Sequence, residues 1–153
     1  MSILTASLLP KDIKLHLKAT DHRDALEETL SSLRRDSRIR DWEKLRSALL
    51  ENSHNFNSNG QCPTIVLHHA RTEFVTGLLL AVGRSLAGVS SGMSGEKVHL
   101  VFVAAIPFAL NNEYLRVLGA VSRVCRQEST YRELLSATDP SGFMTVLEKG
   151  CLQ

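Results

Sequence analysis

The chain has 153 residues, of which 43% are hydrophobic and 22% charged, and its formal net charge is +2. These proportions are typical of a globular protein with one core and argue against an intrinsically disordered chain. So small a net charge gives no support for a nucleic-acid partner, which needs clustered positive charge. The length predicts a single domain over residues 1–153.

The cysteines and the apolar runs bear on the compartment in which the protein works. Cys62, Cys125 and Cys151 lie far apart and are odd in number, which argues against a disulfide framework and against a zinc site. The longest apolar stretches, 77–82 and 100–110, are too short to span a bilayer, and the N-terminus shows no cleavage pattern. We therefore expect a soluble, cytoplasmic protein with no direct membrane insertion.

The first third of the chain predicts a strand, two helices and a loop. Residues 13–17 alternate apolar and polar side chains, as a half-buried strand does. Apolar residues at helical spacing then predict a helix over about 22–35 and a second over 41–50. Between 51 and 63 the hydrophobic pattern stops in a run of Asn, Ser and Gly, which predicts a polar loop.

The middle of the chain predicts strands of a buried sheet. Residues 64–67 are a short run that leads into two adjacent histidines. Two strongly apolar runs follow at 75–83 and 97–105, joined through a turn at 90–95 that is rich in Gly and Ser. Because the apolar runs lack polar alternation, we expect strands that are buried on both faces and covered by helices.

The end of the chain predicts helices. After Pro107, apolar residues at helical spacing predict a helix that Asn111 caps and that buries Leu115. A short helix is expected at 129–136 with a capping box, and Asp139 with the proline after it begins the last helix. The order of elements predicts an α/β fold in which helices pack over a mixed β-sheet.

The histidine pair is the most informative part of the sequence for function. A strand that ends on histidine places an imidazole at the edge of a sheet, where a partner can reach it. Arg71 follows two residues after His69, where it is available to an anion. This pattern suits a histidine that carries a phosphoryl group, because a neutral imidazole is a competent nucleophile near neutral pH.

Strand alternation separates the two histidines. Successive side chains of a strand point to opposite faces, so His68 is expected to pack or to face solvent rather than to act in chemistry. The same geometry argues against a metal site built from His68 and His69, and we expect no metal and no cofactor. His99 lies among apolar residues inside a strand and is interpreted as a structural histidine.

Several segments in order carry a family resemblance. They are Ser58-Asn59-Gly60, Ile65-Val66-Leu67-His68-His69-Ala70, the strand from Val98 to Pro107, and Glu113-Tyr114-Leu115-Arg116-Val117-Leu118. Together they resemble the enzyme IIA domain of the bacterial phosphotransferase system, in its fructose/mannitol class, which includes the nitrogen-regulatory branch. The resemblance covers nearly the whole chain and implies a mixed β-sheet flanked by helices on both sides.

The resemblance also implies a function. His69 would accept a phosphoryl group from the histidine phosphocarrier protein and relay it to a IIB domain, or signal to a regulatory target by its phosphorylation state. A free-standing domain leans toward regulation, although a separate subunit of a sugar transporter is also open. Tyr114 stands where the family has a second histidine near the phosphoacceptor, and Arg71 is the nearest cation in sequence.

The chain departs from the family pattern at three positions. His68 replaces a proline, Tyr114 replaces the second histidine, and Ser53 occupies the position of an upstream arginine. The last two changes remove positive charge from the expected phosphate site, unless His68, His54 or Arg71 compensates. They motivate an alternative function: a degenerate IIA fold that binds partner proteins and is not phosphorylated.

Overall fold

The structure, a computed structural model, describes residues 1–58, 61–90 and 97–152, and the side chains of all of these except 56–58 and 61–64. Two residues of the Ser58-Asn59-Gly60 segment and most of the predicted turn at 90–95 therefore lie outside the described residues. The same holds for the side chain of Cys62. Cys125 and Cys151 are free thiols, and both are buried.

The described residues form five β-strands and six α-helices. The strands are β1 (Ile13–Lys14), β2 (Ser53–Ser58), β3 (Gln61–Thr72), β4 (Leu79–Ser90) and β5 (Lys97–Pro107). The helices are α1 (Ile3–Ser7), α2 (His22–Leu30), α3 (Trp42–Glu51), α4 (Asn111–Cys125), α5 (Glu128–Ser136) and α6 (Pro140–Cys151), with short 3-10 turns at Pro10–Asp12 and Ser31–Leu33. Across the described ranges, every helix is too short or too polar to cross a membrane.

The strands form one mixed sheet in the order β1-β4-β5-β3-β2. β3 and β5 are parallel, as are β1 and β4, whereas β2 and β4 run antiparallel to β3 and β5 respectively. The pairing of β3 with β5 extends to Thr72 opposite Pro107. The carboxyl ends of these two central strands therefore lie side by side at the same end of the sheet.

Helices cover both faces of this sheet. Leu67, Leu100 and Phe102 belong to one apolar cluster, which they share with residues of α1, α4, α5 and α6. Val66 and Val101 belong to a second cluster on the opposite face, which they share with residues of α2 and α3. Each central strand is buried on both sides because its side chains alternate between the two clusters.

The predicted fold class is confirmed. A mixed sheet lies between helices, as expected from the apolar runs at 75–83 and 97–105. The helices predicted at 22–35 and 41–50 are present as α2 with its following 3-10 turn and as α3. The predicted start of α6 is also present: the Asp139 carboxylate accepts a hydrogen bond from the Gly142 N–H at 2.6 Å.

The predicted polar loop over 51–63 is wrong. Residues 53–58 form β2, which pairs antiparallel with β3 from Ser53 opposite His68 to Ser58 opposite Gln61. β2 lies at the edge of the sheet, and Ser53, His54 and Asn55 are exposed. An edge strand needs little apolar content, because its main-chain hydrogen bonds to β3 supply the pairing and override the low β propensity of Asn and Ser.

Several strand boundaries also differ from prediction. β3 does not end at the histidines but continues to Thr72, because β5 pairs alongside it to the end. β4 begins at Leu79 rather than at residue 75; Val75 is buried in the connection, where it forms an isolated bridge with Ile39. β1 stops at Lys14, short of the predicted residue 17.

For the helices, the wrong predictions concern which residue caps the N-terminus and which side of the helix is buried. The N-cap of α4 is Leu110, so Asn111 is the first helical residue, and Leu115 is 57% exposed rather than buried. The N-cap of α5 is Gln127, and no side chain caps it. Helix α1 was not predicted. These errors arise because the partner surface, and not the spacing of apolar residues alone, decides which side of a helix is buried.

Arg84 ties two distant parts of the chain together from inside the protein. It is only 2% exposed, and its Nε donates to the Leu15 carbonyl at 3.1 Å. Its Nη1 donates to the carbonyls of Leu134 at 2.9 Å and Ala137 at 2.6 Å, at the C-terminal end of α5. Arg84 thus joins the segment after β1 to a helix end whose carbonyls lack helical partners.

We expect Arg84→Met to lower the free energy of unfolding by about 3 kcal/mol, because several buried carbonyls would lose a charged donor. The measurement is urea unfolding at pH 7. Arg132→Met is the matched control, since Arg132 makes an exposed ion pair with Glu128 at 2.7 Å and its loss should cost under about 0.5 kcal/mol. Equal losses in the two variants would contradict this role for Arg84.

His68 faces the second cluster, away from His69. It is 2% exposed, and its Nδ1–H donates to the Leu49 carbonyl at 3.1 Å. That carbonyl is in the last turn of α3, where carbonyls have no helical partner. Burial lowers the pKa of His68 to about 4, despite this hydrogen bond, so the ring is neutral at pH 7. His68 is thus a packing residue, one of the two placements predicted for it.

This burial makes stability depend on pH. Between pH 6.5 and 4 the unfolded chain binds a proton at His68 that the folded chain does not bind. The contribution of His68 is therefore complete above pH 6.5 and is lost as the pH falls toward 4, by about 3 kcal/mol in all. Urea unfolding across this range measures it. His68→Leu should flatten the slope, whereas the exposed His16→Leu should not; an unchanged slope in His68→Leu would refute the assignment.

Candidate functional site

His69 lies in β3, near the end of the sheet at which the carboxyl ends of β3 and β5 lie. Its main chain is held on both sides: it pairs with Ala104 of β5, and its N–H donates to the Asn52 carbonyl at 3.0 Å. Its side chain points to the face that α4 covers, on the same side as Leu67, and is half-buried. The backbone around the imidazole is therefore fixed by sheet hydrogen bonds, although the ring itself lies near the surface.

Tyr114 meets His69 from the first turns of α4. Its hydroxyl is 2.6 Å from the Nδ1 of His69, and the two ring centroids are 5.6 Å apart with the planes tilted by 51°. The contact arises because β5 ends at Pro107 and the chain turns back at once into a helix over the strand ends. The structure thus brings together two site residues that the sequence separates by 45 positions.

The hydrogen bond has two possible proton arrangements with different chemistry. If the tyrosine hydroxyl donates, the proton of the neutral imidazole lies on Nε2. If Nδ1–H donates to the hydroxyl oxygen, Nε2 has a free lone pair and can act as a nucleophile. In both arrangements Tyr114 occupies Nδ1, so the nitrogen that remains for a reacting group is Nε2.

The local electrostatics keep both rings uncharged near neutral pH. Burial lowers the pKa of His69, and the charge of His54 lowers it further. Burial raises the pKa of the Tyr114 hydroxyl, against the smaller opposing effect of Arg71. The site therefore presents a neutral imidazole hydrogen-bonded to a neutral phenol, which is the protonation state that a histidine nucleophile requires.

Arg71 lies next to this pair and on the same face. As the second residue after His69 in β3, it points to the same side of the strand. Its side chain is exposed, and its Nη1 donates to the Asn111 side-chain oxygen at 2.6 Å. The guanidinium carbon lies 5.5 Å from the centre of the Phe108 ring. The sequence indicated Arg71 as a site residue, but it gave Asn111 only a capping role.

The polar residues of β2 divide between the two faces. Ser53 pairs with His68 and so shares the face of that residue, away from His69. His54 pairs with Leu67 and lies on the face of His69, and it is exposed. Of the three candidates to replace the missing charge, His54 and Arg71 are on the face of His69, and His68 is not. Ser53, which occupies the position of the missing arginine, also lies on the face away from His69.

His99 is placed as predicted. Its Nδ1–H donates to the Ser85 carbonyl at 2.9 Å, between adjacent strands β5 and β4. This contact lies near the start of β5, at the end of the sheet remote from His69. His99 therefore serves the structure and belongs to no site with His69.

Comparisons with solved structures show the same fold in several proteins. The nitrogen regulatory protein IIA-Ntr of Neisseria meningitidis aligns with a TM-score of 0.80 at 21% identity, over 95% of this chain and 99% of the other. The mannitol IIA of Escherichia coli aligns with a TM-score of 0.71 at 19% identity, over 92% and 99%. The IIA in the E. coli complex with phosphorylated IIB for mannitol aligns with a TM-score of 0.75 at 16% identity, over 94% and 98%.

Curated relatives in sequence are components of fructose systems. The fructose-specific EIIABC component of Bacillus subtilis is 26% identical over 147 residues, which are 95% of this chain and 23% of that protein. The fructose-specific EIIA component of Haloferax volcanii is 30% identical over 84 residues, which are 54% of each chain. The chain thus spans about a quarter of the first relative and about half of the second.

A family model decides the assignment. The model described as "Phosphoenolpyruvate-dependent sugar phosphotransferase system, EIIA 2" matches residues 7–150, which is nearly the whole chain. This match confirms the resemblance inferred from the segments around His69 and Tyr114. The chain belongs to the EIIA 2 family of the phosphoenolpyruvate-dependent sugar phosphotransferase system.

Proposed function

We propose that His69 accepts a phosphoryl group from the histidine phosphocarrier protein and relays it to a IIB domain or signals by its phosphorylation state to a regulatory target. The observation that carries this proposal is the 2.6 Å hydrogen bond between the Tyr114 hydroxyl and Nδ1 of His69. It orients the imidazole and directs the transfer to Nε2. Membership of the EIIA 2 family and the resemblance in fold to a IIA solved with phosphorylated IIB support a IIB domain as a partner.

The transfer step balances without another reactant. The Nε2 lone pair of neutral His69 attacks the phosphorus of the donor phosphohistidine, whose other ring nitrogen carries a proton. The donor P–N bond breaks with its electron pair returning to the donor nitrogen, so the donor leaves as a neutral imidazole and the positive ring charge passes to His69. The proton on Nδ1 of His69 stays in place, donated to the Tyr114 oxygen. Phosphoryl transfer of this kind depends on in-line positioning and on donors for the three equatorial oxygens.

Arg71 is the cation that we assign to those oxygens. Its guanidinium carries a permanent charge and several N–H donors, and its position on the face of His69 suits this role. Tyr114 contributes orientation rather than charge, because its hydroxyl stays protonated near neutral pH. Two kinds of partner fit this chemistry: a IIB domain of a sugar transporter, and a regulatory target that distinguishes the phosphorylated from the unphosphorylated protein.

We also place the protein in the cytoplasm. The free, buried thiols of Cys125 and Cys151 support this location, since a reducing compartment keeps such thiols unpaired.

We expect His69→Ala to abolish phosphorylation, because among the described residues of this face His69 is the imidazole whose Nδ1 is held by Tyr114, which leaves Nε2 as the nucleophile. The chain is incubated with enzyme I, the histidine phosphocarrier protein and phosphoenolpyruvate, and intact mass reports an acid-labile phosphate. The exposed His16→Ala is the control and should be labelled like the wild type. A folded wild type that takes no phosphate would refute the proposal and favour the protein-binding alternative.

Tyr114→Phe should slow the phosphorylation of His69 about tenfold, because the loss of one hydrogen bond of about 1.4 kcal/mol leaves the imidazole free to turn. Tyr114→His should restore most of the rate, since a second imidazole can again bond Nδ1. Rapid-quench measurements of single-turnover transfer give these rates. If Tyr114→Phe transferred phosphate at the wild-type rate, the hydrogen bond would have no part in the reaction.

A further inference from the structure

We infer that Asn111 is a positioning residue that, together with the Phe108 ring, holds the Arg71 guanidinium at the phosphoryl site of His69. This inference rests on the proposed function and extends it to two residues outside the phosphoacceptor motif. It starts from two contacts of Arg71: the 2.6 Å hydrogen bond to Asn111 and the Phe108 ring centre 5.5 Å from the guanidinium carbon.

The contacts between β3 and α4 repeat in a regular way. His69 and Arg71 are two residues apart in a strand and share a face, whereas Asn111 and Tyr114 are three residues apart in a helix and share a face. His69 bonds Tyr114, and Arg71 bonds Asn111. The first turn of α4 therefore carries two side chains that each fix one side chain of β3, and the two fixed side chains are the imidazole and the guanidinium.

Holding the guanidinium in advance has a physical purpose. An exposed arginine samples many rotamers. The loss of this conformational entropy, when the side chain is ordered on the phosphoryl oxygens, reduces the free energy gained from binding them. The Asn111 oxygen accepts from one of the five guanidinium N–H groups, and the guanidinium carbon lies over the Phe108 ring, where a cation–π interaction limits its movement. The remaining N–H groups stay available to an anion.

The charge of Arg71 reaches the reacting pair. It lowers the pKa of the Tyr114 hydroxyl, against the larger effect of burial, so the guanidinium lies within electrostatic range of the group that bonds His69. Phe108 is 55% exposed, and the guanidinium carbon of Arg71 lies over its ring. These observations are independent of the hydrogen bond and agree with it.

The test is a double-mutant cycle on the single-turnover rate of phosphoryl transfer from the phosphocarrier protein. Arg71→Ala should slow transfer at saturating carrier by about tenfold or more, and Asn111→Ala by a few-fold. Because Asn111 acts through Arg71, Asn111→Ala should cause no further loss in the Arg71→Ala background. Asn112→Ala is the matched control: it changes an exposed asparagine of the same helical turn and should transfer at the wild-type rate.

Each other outcome overturns the inference in a different way. Equal losses from Asn111→Ala in both backgrounds, or an equal loss from Asn112→Ala, would show a general effect on α4. Losses that vanish at saturating carrier would assign Arg71 to docking of the partner instead of to the phosphoryl group. Transfer at the wild-type rate in Arg71→Ala would remove its role, while a folded wild type that accepts no phosphate would overturn the proposed function together with this inference.

Discussion

The structure depends on the parallel pairing of β3 with β5 in the middle of a sheet that is covered on both faces. In such a strand each residue must face one of two cores, so neighbouring side chains have separate environments. His68 faces the apolar cluster that includes residues of α3, where it is buried and neutral. His69 is placed under α4, where its ring is half-buried and bonded to Tyr114.

The same pairing explains why the site lies where it does. Parallel strands have their carboxyl ends at the same end of the sheet, so Pro107 of β5 lies beside Thr72 of β3. The turn that follows β5 returns the chain over the carboxyl ends of the strands, and α4 begins within four residues at Asn111. The first turns of a helix are thereby brought over the carboxyl end of the neighbouring strand, which is a common place for a functional site in α/β proteins.

The chemistry of the site follows from few groups. A neutral imidazole is hydrogen-bonded to a neutral phenol, and Arg71 supplies permanent charge at their side. In the proposed transfer, Tyr114 orients the imidazole and Arg71 supplies the charge. The exposed His54 lies on the same face and already influences His69 through its charge, so the site has a titratable neighbour as well as a permanent cation.

The sequence by itself determined the α/β class, most helices, the family, and His69, Arg71 and Tyr114 as candidate site residues, because these depend on local spacing and on short motifs. Only the tertiary structure decided that 53–58 is an edge strand, that Leu115 is exposed, and that Asn111 and Phe108 hold Arg71. The physical reason is the same in each case. Pairing along an edge, the choice of a buried helix face and a bond between residues 40 positions apart depend on partners that no local pattern contains.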